Sequence, residues 1–278
     1  MKINWFPGHM KKALEEIKRE LKKVDVVIYV LDSRAPKSCL NPELDKISGQ
    51  KPVLYVFNKV DIADEEKISK FSRSFKTQTS DYIIINSTTT GAGKLITSKI
   101  RMLCQEKINK FRQKGINPTI RGIVVGVPNC GKSTLVNNLC QKGKAVTGNK
   151  PGVTKGQTWF NIGDCVEVCD TPGTLYPNLI NQEIAQNLAF IGSIKDEIVE
   201  TNALATELIK RLKAFYPNNF EGRYGKANTL EDIAKSRGFL MQGGELDIEK
   251  AAFAILNDFR SGKFGRVTIE ELWKSLIE

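Results

Sequence analysis

Histidine is nearly absent: His9 is the only one in 278 residues. The six cysteines, Cys39, Cys104, Cys130, Cys140, Cys165 and Cys169, include no Cys-x-x-Cys pair. This argues against a Cys/His zinc site and for free thiols in a reducing compartment. The opening "MKINWFPGHMKK" holds no apolar core of the kind a secretory signal needs. No apolar run is long enough to span a bilayer. A cytoplasmic protein is expected, with any membrane role peripheral.

Positive charge is what the chain has in excess. Forty-two Lys and Arg stand against 31 Asp and Glu, a formal net charge of +11. A polyanionic partner is one reading, and a solvated lysine-rich surface is the plainer one. The excess is uneven: from Lys195 onward there are 13 Lys and Arg against 14 Asp and Glu. It gathers upstream, in Lys2, Lys11, Lys12, Lys18, Arg19, Lys22 and Lys23, in 99–114, and in Lys142, Lys144, Lys150 and Lys155.

Periodicity divides the chain into three parts. Residues 1–23 form a basic arm in which Met10, Leu14, Ile17 and Leu21 make one helical apolar stripe. Residues 24–193 alternate strand and helix, beginning with "VDVVIYVLD", a strand apolar enough to be buried on both faces. This predicts a three-layer α/β domain with a mostly parallel sheet. "GKLITSKIRMLCQEKINKFRQKG" reads as one long helix. Residues 194–278 carry the helical period to the end, "TIEELWKSLIE" included, and predict a small all-helical domain. Thr229 and Thr268 are candidate N-caps.

"GVPNCGKS", Gly126 to Ser133, is Gly, four residues, Gly-Lys-Ser between a strand and a helix, the phosphate-cradling P-loop pattern. Asn129, Cys130, Gly131, Lys132, Ser133 and Thr134 are expected at the phosphates. The helix N-terminus adds partial positive charge there. Lys132 reaches the β- and γ-phosphates, and the Ser133 hydroxyl ligates Mg²⁺. Asn58-Lys59-Val60-Asp61 selects the base. The Asp61 carboxylate accepts two hydrogen bonds from guanine's ring NH and amine, a donor pair adenine lacks. Lys59 covers the ring and Asn58 braces the loop. Asn86 and Ser87 are placed at the guanine edge. Asp170, in "DTPG", is expected to hold Mg²⁺ through water, with the Gly173 amide at the γ-phosphate and Thr154 as the switch threonine.

The order of these motifs is unusual. Ordinary small GTPases run P-loop, switch threonine, Asp-x-x-Gly, Asn-Lys-x-Asp, guanine-edge loop, whereas here the last two come first. A circular permutation keeps the contacts and moves the termini. It also leads the Asp170 loop directly into the helical domain.

"WFPGHM", "NKVD", "GVPNCGKST", "PGVTKG" and "DTPG", in this order, resemble the circularly permuted GTPases of the YlqF type. The resemblance spans the chain. It implies a cytoplasmic GTPase acting in assembly of the large ribosomal subunit, bound to the precursor and its rRNA with GTP and released on hydrolysis. It implies His9 as a catalytic group and a potassium ion at Asn129. The family lacks the water-positioning glutamine of Ras-like proteins, and Thr174 follows "DTPG" here. Slow intrinsic hydrolysis stimulated by the ribosomal subunit is expected. The alternatives are a non-hydrolysing scaffold that senses GTP and GDP, and a GTPase of tRNA modification. Lys11, Lys12, Lys210, Arg211, Lys213, Arg260, Lys263 and Arg266 are the expected RNA contacts.

Overall fold

A computed structural model describes residues 8–49, 51–89, 91–140, 159–163, 165–175 and 181–272. Six strands form one sheet: β1 (Val26–Asp32), β2 (Val53–Asn58), β3 (Ser80–Ile84), β4 (Ile120–Val125), β5 (Trp159–Gly163) and β6 (Val166–Asp170). Their spatial order is β3-β2-β1-β4-β6-β5, and all pairs are parallel except β5 with β6. Renumbered from β4, the strand before the P-loop, the sheet reads second, third, first, fourth, fifth, sixth from the β5 edge. The chain therefore winds outward both ways from the β1/β4 pair, a topological switch point at which open α/β sheets bind ligands. Every residue of β1 is buried, as its continuous apolar sequence requires.

Helices α1 (Gly8–Leu21), α2 (Pro42–Ser48), α3 (Glu65–Ser72), α4 (Ala92–Leu103), α5 (Gln105–Gln113) and α6 (Lys132–Cys140) accompany the sheet. The stripe of α1 is no free arm. Met10, Leu14, Ile17 and Leu21 are all buried in the common core, with Lys11 and Lys12 on the exposed side. The single long helix expected over 93–115 is two. The backbone leaves helical geometry at Cys104 (φ −104°, ψ 17°), and the turn lets Lys107 pair with Asp25 while Ile108 is buried.

The helical unit comprises α7 (Gln182–Phe190), α8 (Thr201–Phe215), α9 (Pro217–Tyr224), α10 (Leu230–Arg237) and α11 (Ile248–Arg260). Leu204, Leu208 and Leu212 of α8 are buried, as are Ala252, Ile255, Leu256 and Phe259 of α11. Thr229 caps α10 with a full capping box. α7, which precedes the boundary expected at 193/194, packs on α8 and α11. The helix expected over 268–278 is absent from its described part, and 273–278 lie outside the described residues. Residues 267–272 are irregular and cross back to the sheet unit. Thr268 caps no helix; its hydroxyl donates to Ser33 O (3.0 Å) and accepts from Asp64 N (3.2 Å). Glu270, buried, accepts from Lys37 N (2.8 Å) and Ser38 N (2.9 Å). These acceptors and donors lie over 200 residues away, so over 268–272 the helical periodicity loses to long-range hydrogen bonding.

One buried ion pair joins the units. Asp32, at the end of β1, is fully buried and holds Arg34 through Nε (2.9 Å) and Nη2 (2.7 Å). Arg34 Nη1 donates to Phe259 O (3.0 Å) and Arg260 O (3.1 Å), the last carbonyls of α11. Its guanidinium also lies over the Phe259 ring, 5.1 Å from the centroid. A cation suits the negative end of a helix dipole. Burial would raise the Asp32 carboxyl, but Arg34 and Lys59 outweigh it and hold Asp32 well below the usual carboxylate range. A depressed acid stabilises the fold above its unfolded pKa, and that stability is lost as pH falls through the folded value. Asp32→Asn is therefore expected to cost about 3 kcal/mol at neutral pH in urea unfolding. The gap from wild type is expected to narrow as pH drops below about 4.

Candidate functional site

Strand register fixes the site. Asp32 pairs with Asn58 across β1 and β2, and Val124 pairs with Asp170 across β4 and β6. The loops leaving these carboxyl ends therefore share one sheet edge. Asn58, fully buried, joins two of them: its Nδ2 donates to Cys130 O (2.8 Å) in the P-loop. Its Oδ1 accepts from Ser87 N (2.9 Å) in the guanine-edge loop. The approach is so close that a Cβ on Gly131 (φ +100°) would sit 2.2 Å from Asn58 Nδ2. Asn138 of α6 closes the other side, donating to Ser87 O (2.7 Å) and Thr89 O (3.0 Å). Asn86 turns its Oδ1 to Thr88 N (2.9 Å), which shapes the same loop.

Lys59 stands in the left-handed region (φ 61°), and its Nζ bridges Asn129 O (2.6 Å) and Asp32 Oδ2 (2.9 Å). The Lys59 stem is thereby stretched between the base loop and the P-loop. After Lys59 a short 3-10 turn, Val60–Ile62, carries Asp61 to the surface. The Asp61 carboxylate accepts no hydrogen bond from any described residue. An exposed carboxylate on a braced loop suits two donors from guanine.

The phosphate side is built on β4 and β6. α6 begins at Lys132, so its N-terminus opens on the P-loop. Lys132 is 6% exposed and donates to Val127 O (2.9 Å). Ser133 Oγ donates to Asp170 Oδ2 (2.8 Å), while Asp170 Oδ1 is buried without a partner among the described residues. A hydroxyl beside a carboxylate with an unsatisfied oxygen fits Mg²⁺ held directly by Ser133 and through water by Asp170. No cluster of three or more His, Cys, Asp or Glu occurs among the described residues. Thr171 Oγ1 donates to Val124 O (2.6 Å) and Thr174 N to Gly126 O (3.2 Å). Together they fix the loop so that Gly173 lies beside Pro128 and Lys132 Nζ. Thr134 is exposed in the first turn of α6. Cys130 is fully buried, and burial pushes its thiol pKa up, so it serves as packing and not as a nucleophile.

Two expected positions fall outside the described residues, Thr154 and the side chain of His9, although the His9 backbone belongs to the first turn of α1. Three of the expected RNA contacts, Arg211, Arg260 and Lys213, have partners within the protein. Arg211 donates to Asn187 Oδ1 (2.5 Å) and Gln186 Oε1 (3.1 Å), pinning α8 to α7. Arg260 holds Asp196 twice at 2.7 Å and donates to Phe190 O (3.1 Å) and Ala189 O (2.8 Å). Lys213 bonds Asn228 Oδ1 and Ala227 O and lies over the Phe220 ring. These cations face acceptors inside the protein. Lys210, Lys263 and Arg266 are exposed and paired with Glu207, Asp258 and Glu65. The sequence motifs did not bring out Asp32 and Arg34. Opposite charges ending an apolar strand next to the P-loop strand were the available signal.

A family model described as "50S ribosome-binding GTPase" matches residues 121–216. The chain is 40% identical to the ribosome biogenesis GTPase A of Bacillus cereus, over 97% of this chain and 94% of the relative. Identity to that of Thermotoga maritima is 33%, over 96% and 94%. Among solved structures, GDP-bound YlqF of T. maritima superposes with a TM-score of 0.69 at 29% identity, covering 92% of this chain and 98% of that one. GNP-bound YlqF from the same organism gives the same score, covering 95% and 100%.

Asp61→Asn exchanges the acceptor for an amide that offers donors to a base carbonyl. It is expected to weaken GDP binding about a hundredfold, from two charge-assisted hydrogen bonds at about 1.5 kcal/mol each, and to favour xanthosine diphosphate instead. Isothermal titration with both nucleotides checks it, and unchanged GDP affinity would remove Asp61 from the base site. In sequence, sheet order and motif geometry together, the chain belongs to the ribosome biogenesis GTPase A family of circularly permuted, YlqF-type GTPases.

Proposed function

We propose that the chain hydrolyses GTP to leave a precursor of the large ribosomal subunit, which it binds through rRNA in the GTP state. The observation that carries this is the Asn58 bridge, which joins a guanine-reading loop and a phosphate loop that lie 72 residues apart in the chain. The named relatives act in ribosome biogenesis, and the matching family model is named for 50S binding. Large-subunit engagement extends those names to this chain.

Ser133 and Asp170 would hold Mg²⁺, which would supply positive charge against the phosphates when bound. Lys132 and the α6 N-terminus orient the phosphates and stabilise the charge that develops on them. The Gly173 amide reports the γ-phosphate. Asn129, whose Nδ2 donates to Gly192 O (2.5 Å), would support a potassium ion. Thr154, outside the described residues, would be the switch threonine at that ion. Thr174 is buried where a water-positioning glutamine would follow the "DTPG" loop, and without that glutamine hydrolysis alone is slow. The bound subunit, with His9 as the catalytic group, supplies the rest. Stimulation by catalytic groups supplied in trans reaches about 10³–10⁵ in related chemistry.

The RNA face takes in the exposed Lys11 and Lys12 of α1 and omits Arg211 and Arg260. No described helix is long and apolar enough to cross a membrane, and a cytoplasmic site of action accords with ribosome assembly. Multiple-turnover GTP hydrolysis should rise at least about a hundredfold when purified large subunits are added. No stimulation would favour a scaffold that senses GTP and GDP. Reversing Lys11 and Lys12 to Glu should lower subunit co-sedimentation and flatten its log–log salt dependence by about 0.9 for each lysine–phosphate ion pair removed. An unchanged slope would take α1 off the RNA face.

A further inference from the structure

The end of α11 lies against the guanine-reading loop at two independent places. The first is the Asp32 carboxylate. Lys59 of the base loop bonds it on one side (2.9 Å), and Arg34, which holds the last carbonyls of α11, bonds it on the other. Asp32 is fully buried, and Arg34 is 1% exposed. The second is Ile62, which ends the turn that carries Asp61. Gly262, just past α11, approaches it so closely that an added Cβ would stand 2.2 Å from Ile62 Cγ2. Val267 N donates to Ile62 O (3.2 Å), and Ile269 N to Arg34 O (2.9 Å). The loop that selects guanine is therefore held by the sheet unit on one side and by the helical unit on the other.

We propose that the helical unit forms part of the guanine site: Arg34 and Gly262 are positioning residues through which the seating of α11 sets the Asn58–Asp61 loop. Nucleotide affinity and the docking of the helical unit are then thermodynamically coupled. Guanine ordering Lys59 and Asp61 tightens α11, and by reciprocity a loosened α11 weakens GDP and GTP alike. This route runs along the base side and is separate from any movement of the Asp170 loop. It rests on the assignment of Asn58–Asp61 to guanine.

Gly262→Ala tests it at a distance from the nucleotide. The new methyl must push on Ile62, and the backbone at φ +75° resists any side chain. Isothermal titration of the full chain with GDP should show affinity reduced about tenfold. Adding Ile62→Ala removes the atom at 2.2 Å and leaves only Cβ at 3.0 Å. The double variant should therefore bind GDP within about twofold of Ile62→Ala alone, a non-additive cycle. Wild-type affinity in a folded Gly262→Ala chain overturns the proposal. So do effects that simply add, which would mean strain local to the turn after α11.

If Gly262→Ala does not fold, Lys59→Met carries the test without nucleotide. Amide exchange at Ile269 and Gly262 should quicken at least fivefold in that variant, and unchanged exchange overturns the coupling. Asp61→Ala separates the two assignments. If it binds GDP like wild type, the guanine assignment has failed, whereas the exchange result in Lys59→Met stands by itself.

Discussion

The side-chain amide of Asn58 is the interaction on which the site depends. It is fully buried, and both of its polar ends are used, one on Cys130 O and one on Ser87 N. An unpaired buried amide costs more than the hydrogen bond contributes, so the two loops it joins must both be in place for the site to close. Three segments that are remote in sequence thereby become one surface: the base loop after β2, the edge loop after β3 and the P-loop after β4. Register alone brings them to one edge, and the Asn58 amide fixes their spacing.

That constraint explains why the permuted order of the chain does no harm. Hydrogen bonding across the sheet edge depends on strand neighbours and not on the route between them. The sheet keeps the β1/β4 switch point, and the nucleotide motifs cluster around it. What the permutation changes is the exit. β6 and its Asp170 loop lead toward α7, and α7 packs with α8 and α11. The P-loop touches this exit as well, since Ser193 Oγ donates to Pro128 O (2.7 Å) and Asn129 Nδ2 to Gly192 O (2.5 Å).

Much of this is legible in the sequence itself. Phosphate and base motifs are local words, each set by backbone chemistry within a few residues and placed after an apolar strand, so "GVPNCGKS", "NKVD" and "DTPG" announce themselves. The helical stripe of α1 and the Thr229 cap are legible for the same reason. The rest is hidden because its partners are distant. Arg34 meets carbonyls 225 residues away, and Glu270 meets the Lys37–Ser38 backbone from more than 230. Arg211 and Arg260 look like surface cations because nothing local reveals that Asn187, Asp196 and the end of α7 will accept from them. Residues 267–272 open a stretch with helical periodicity yet run as a strap, because Ser33 O, Arg34 O and Ile62 O offer them bonds elsewhere.

The central claim is that these motifs, joined through Asn58, make one site that reads guanine. Calorimetric titration of the full chain with GDP and with ADP in the presence of Mg²⁺ tests it most directly. The account predicts a single GDP site and ADP binding weaker by about 10³-fold or more, because adenine leaves the Asp61 carboxylate unpaired. Equal affinities for the two nucleotides would contradict it.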